Sequence, residues 1–71
     1  MPVLSPRHRE LIAKAAKTNA EVNADDYGDG EYIAELEYWG LVDSGWILTK
    51  LGHDAAINIE CGIVVEVRES P

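Results

Sequence analysis

Apolar residues recur at helical spacing early in the chain. Leu11, Ile12, Ala15 and Ala16 share one face, with Arg7, Arg9, Glu10, Lys14 and Lys17 outside it. Ser5 is placed to cap this segment, and Pro6 suits the first helical position, where its missing N–H costs nothing. The pattern predicts a helix over residues 6–18, ending at Thr18-Asn19. Residues 19–30 are rich in turn formers (Asn19, Asn23, Asp25, Asp26, Gly28, Asp29, Gly30), with room for one helical turn at residues 20–24. A second helix is predicted to start near Asp29, as its cap, with Glu31 also suited to the positive helix end. Tyr32, Ile33, Leu36 and Trp39 form its apolar stripe. Gly40 stands where a left-handed helix stop belongs.

Beyond Gly40 the period shortens. Leu41-Val42 and the run from Trp46 to Thr49 flank Asp43-Ser44-Gly45, which reads as a hairpin. Residues 51–56 are ambiguous, with a helical turn capped by Thr49 as one reading. Ile57 and Ile59, then Ile63, Val65 and Val67 with Glu66 and Arg68 between them, alternate as a strand does. Cys61-Gly62 would then be a turn or a bulge, leaving open whether residues 57–68 are one strand or a hairpin. The expected fold class is α+β: residues 1–71 as one small domain, two main helices and a short antiparallel sheet.

Charge changes the picture more than composition does. Between Asn19 and Asp43 lie eight carboxylates and no Lys, Arg or His: Glu21, Asp25, Asp26, Asp29, Glu31, Glu35, Glu37 and Asp43. Residues 1–18 carry +3, residues 19–43 carry −8 and residues 44–71 carry −2, for a net −7. Clustered like charge opposes compaction, so its concentration in one third of the chain points to a partner. The 46% apolar fraction excludes a disordered acidic tail. A single cysteine, Cys61, excludes an internal disulfide and fits a reducing compartment. The longest purely apolar run, Ile63-Val64-Val65, is far short of a membrane span, and no export signal is read at the start. The expected location is the cytoplasm.

Leu36, Gly40-Leu41-Val42, Trp46, Leu48-Thr49 and Gly52 resemble the stretch of winged-helix domains in which a recognition helix ends in a Gly-Leu-Val step and a wing hairpin follows. The resemblance covers about residues 33–52 and implies a winged-helix-like scaffold. At the recognition position, however, residues 30–39 carry Glu31, Glu35 and Glu37 where that family presents Arg, Lys, Asn or Gln to DNA. Affinity for DNA comes mostly from cations that neutralise phosphate, so the scaffold is expected without its usual job.

Other chemistries fit less well. Asp25, Asp29 and Gly30 fill the first, fifth and sixth positions of a calcium loop, but Tyr27 and Leu36 fall where oxygen ligands are required. His8, His53 and Cys61 lack the pair spacing of a zinc site. Cys61 with His53 is the one conceivable nucleophile–base pair, and a thiol among strand residues reads as buried and structural. The expectation is no enzyme, no metal and no cofactor.

The carboxylates fit electrostatic imitation of nucleic acid. A duplex presents a phosphate every ~3.4 Å along each strand, and helix side chains one turn apart stand ~5–6 Å apart. The candidate partner-binding residues are Asp25, Asp26, Asp29, Glu31, Glu35 and Glu37, with Tyr27 and Tyr38 as interleaved aromatics of the kind interfaces favour. Small size, acidity and a scaffold like that of DNA-binding proteins are together similar to phage anti-CRISPR proteins. That likeness implies a protein partner with a basic nucleic-acid-binding groove, such as a CRISPR effector, and a monomer or dimer touching neither nucleic acid nor membrane directly. The alternatives are a winged-helix transcriptional regulator, which a basic first helix would serve, and a structural subunit of a larger complex, in which Trp39 and Trp46 would be covered.

Overall fold

The computed structural model describes residues 3–24 and 27–67. Three helices carry the fold: α1 (Pro6–Lys17), α2 (Asp29–Tyr38) and α3 (Lys50–Glu60). Helix α1 begins as its sequence directs. The Ser5 Oγ accepts the His8 N–H at 3.4 Å, and the His8 Nδ1 accepts the Ser5 N–H at 3.2 Å. This is a capping box in which histidine takes the place usually held by Glu or Gln. Leu11, Ile12 and Ala15 are buried, and α1 packs against both α2 and α3.

Helix α2 starts differently from expectation. Gly28, with φ of 99°, is the N-cap and supplies no side chain, while Asp29 is the first helical residue and points elsewhere. The helix ends as the sequence indicates: Gly40 has φ of 79°, the Leu41 N–H donates to the Leu36 carbonyl at 2.9 Å and the Gly40 N–H to the Glu37 carbonyl at 3.0 Å. That pairing is the Schellman stop, with Leu36 and Leu41 both in the core.

The α+β expectation is overturned from Thr49 onward. The domain is mostly helical, and among the described residues it has no β-sheet. The Thr49 Oγ accepts the Gly52 N–H at 3.2 Å and starts α3, which runs through Ile57 and Ile59. The Cys61-Gly62 step is a second Schellman stop. The Gly62 φ is 77°, the Ile63 N–H donates to the Asn58 carbonyl at 2.8 Å and the Gly62 N–H to the Ile59 carbonyl at 3.0 Å. The physical reason is phase: Gly52, Ala55, Ala56 and Ile59 share a helical face that packs on the core, and that burial outweighs the β preference of two isoleucines.

The chain does reverse between Asp43 and Ile47, but its ladder is one bridge, Val42 with Leu48. Glu21 bridges Ile47, and Val3 bridges Glu66, so the returning segment 63–67 pairs with the start of the chain and does not extend a sheet. Arg68, the last residue of the expected strand, lies outside the described residues, as do Asp25 and Asp26. The core gathers Leu11 and Ile12 of α1, Ile33 and Leu36 of α2, Ala55 and Ala56 of α3, and Leu4, Val22, Leu41, Val42, Leu48 and Val67 from the connections.

Candidate protein-binding surface

The acidic residues separate by role once α2 is seated. Asp29 is buried, and its carboxylate accepts the Arg7 Nε at 2.9 Å and the second guanidinium nitrogen at 2.5 Å. Two parallel charge-assisted bonds of this kind fix both partners in orientation. Arg7 also reaches the Glu10 carboxylate at 3.0 Å. Asp29 is thereby drawn off the outer surface and docks α2 onto α1.

Glu35 is partly engaged. The His8 ring is buried, with Tyr32 and Trp39 set edge-on at centroid distances of 4.9 and 5.0 Å. Because Nδ1 accepts from the Ser5 backbone, the ring proton is assigned to Nε2, which donates to the Glu35 Oε1 at 3.3 Å. The Glu35 side chain remains half exposed, with its carboxylate at the surface.

The remaining acids of α2 face outward. Glu31 and Glu37 are exposed, and so is Tyr38. Glu31, Ala34, Glu35 and Tyr38 stand three and four residues apart, which lines them along one stripe on the side away from buried Ile33 and Leu36. Glu37 lies off that stripe. Tyr27, fully exposed, precedes the helix. The structure thus brings together Glu31, Glu35 and Tyr38, sets Glu37 off their stripe, leaves Tyr27 exposed ahead of the helix, and hides Asp29.

The other two acids of the central third have different surroundings. Asp43 accepts the N–H groups of Gly45 at 2.8 Å and Ile47 at 3.1 Å through one carboxylate oxygen, which shapes the reversal. Glu21 is exposed beside that loop. Trp46, at φ of 64°, is partly exposed at the loop's end, while Trp39 is half-buried against His8, so the two tryptophans form no exposed pair.

The acids in the last turn of helix α2 work against its stability, while Glu31 in the first turn suits the dipole. Glu35 and Glu37 sit in its last turn, which holds no basic residue, where the helix dipole favours cations. Glu31 and Glu35 repel across one turn by a few tenths of a kcal/mol.

Sequence reasoning did not find the Arg7–Asp29 clamp or the His8 cage. The available signal for the second was the Ser5-x-x-His8 spacing, which is that of a capping box. Cys61, read as a buried thiol, is exposed at the end of α3. His53 lies eight residues before it, about 12 Å along the helix axis, too far for a nucleophile–base pair. Among the described residues no three His, Cys, Asp or Glu side chains gather to hold a metal ion, and no helix is long and apolar enough to cross a membrane. Comparison with family models, curated proteins and solved structures finds no match to this chain.

Proposed function

We propose that this protein is a non-catalytic inhibitor acting in the cytoplasm, where it occupies the basic nucleic-acid-binding groove of a protein partner, as an anti-CRISPR protein would block a CRISPR effector. The observation that carries the reading is α2. It exposes Glu31, Glu35 and Glu37 with Tyr38 and carries no cation of its own, and the two acids of its last turn, Glu35 and Glu37, weaken the helix. Charge held at a cost to stability is most simply explained by what it meets outside the molecule. The same surface disfavours a DNA-binding role, since phosphate would be repelled by it.

The test is capture of proteins from lysate on immobilised wild type and on a Glu31→Lys/Glu37→Lys variant. Asp29 is left intact because it docks α2. The reading expects nucleic-acid-binding proteins to be retained, to be released by duplex DNA and by rising salt, and to be lost on the variant. Retention that survives both the DNA competitor and the charge reversal would overturn it.

A further inference from the structure

A groove of about 290 Å³ opens between α3 and the returning segment 63–67. Its floor and walls include Trp39, Leu51 and Val65, and its polar groups are Asp54, Asn58 and Glu66. Leu51 is 59% exposed, so the apolar half is already open to solvent. Among the described residues, no Lys or Arg lines the groove. Neither the Asp54 nor the Glu66 carboxylate has a hydrogen bond or ion pair within the described residues. Two carboxylates without a partner among the described residues, beside an indole and aliphatic walls, form an environment that a cation on an apolar stem complements. The methylenes of such a group lie on Leu51 and Val65 while its head meets the carboxylates and the Trp39 ring.

We infer that this groove docks a basic segment of a protein partner, receiving an arginine or lysine side chain flanked by apolar residues. The site goes beyond the reading of α2, because Glu31, Glu35 and Glu37 contribute nothing to its lining. The two can therefore fail separately.

The experiment is an amide-shift titration of the isotope-labelled protein with the blocked pentapeptide Gly-Leu-Arg-Leu-Gly and with its counterpart bearing Glu in place of Arg. The expected result is saturable shifts centred on Leu51, Asp54, Asn58, Val65 and Glu66 with the arginine peptide. The glutamate peptide should produce none. Asp54→Asn/Glu66→Gln should weaken binding about tenfold or more, and Leu51→Ser should weaken it independently through the apolar half. Glu31→Lys/Glu37→Lys should leave it unchanged. The inference is overturned by equal binding of the two peptides, by shifts centred on α2, by full affinity in the two groove variants, or by no shift at all.

Discussion

Arg7 holds Asp29 through two hydrogen bonds across 22 residues of sequence, and this clamp fixes where α2 begins against α1. The two partners are unequally exposed: the Arg7 side chain keeps 26% of its surface in solvent, and Asp29 keeps 3%. Removing Arg7 takes a doubly bonded cation from a carboxylate that solvent barely reaches, whereas removing Asp29 leaves a guanidinium that water still reaches.

Arg7→Ala is therefore expected to destabilise the domain by about 3 kcal/mol, and Asp29→Asn by about half as much. Urea unfolding midpoints of the two variants measure the difference. Equal losses would mean the buried carboxylate is not the sensitive member.

Gly52 is the point where α3 passes closest to the preceding loop. A Cβ there would stand 2.1 Å from the Leu41 carbonyl oxygen and 3.0 Å from a Leu48 methyl. Gly52→Ala should cost about 3 kcal/mol and lower the melting temperature by more than ~10 °C, since backbone cannot yield as a side chain can.

Gly62 makes the contrasting case. Its φ is 77°, yet nothing lies within 4 Å of where a Cβ would be. Gly62→Ala should cost only about 1 kcal/mol, the conformational penalty of a left-handed stop, read in the same thermal melts.

His8 combines a cap, a hydrogen bond and two ring contacts. His8→Gln keeps an acceptor for the Ser5 N–H and a donor towards Glu35, but loses the edges packed on Tyr32 and Trp39. It should cost about 1–2 kcal/mol, and His8→Ala about 3 kcal/mol, by chemical denaturation.

Glu37→Lys separates stability from binding. A cation in the last turn of α2 should raise stability by about 0.5 kcal/mol, while the proposed capture of a basic partner should weaken. A variant that gains stability and keeps its partner would remove Glu37 from the interface.

Much of the first half was legible because its signals are local. Ser5 and Pro6 mark the start of α1, and Gly40 ends α2 because only a residue free to take a positive φ closes that stop. The error in α3 came from Ile57 and Ile59, whose two-residue spacing resumes beyond Cys61-Gly62 in Ile63, Val65 and Val67 and so reads as strand. Helix and strand share those positions; the Thr49 cap and Gly62 break the tie, and both count only once residues 50–60 are taken as one segment. Asp29 was misplaced for another reason. Its fate depends on the register of two helices, which no window of sequence around it contains.

The joint between Val3 and Glu66, reinforced by the Leu4 N–H on the Val65 carbonyl at 3.2 Å, closes a ring of almost the entire polypeptide. Drawing together segments so distant along the backbone is entropically dear, so this seam should zip late in folding and fray early. Because Val65 and Glu66 also wall the α3 groove, a guest bound there would stitch the seam, coupling occupancy to the integrity of the whole domain.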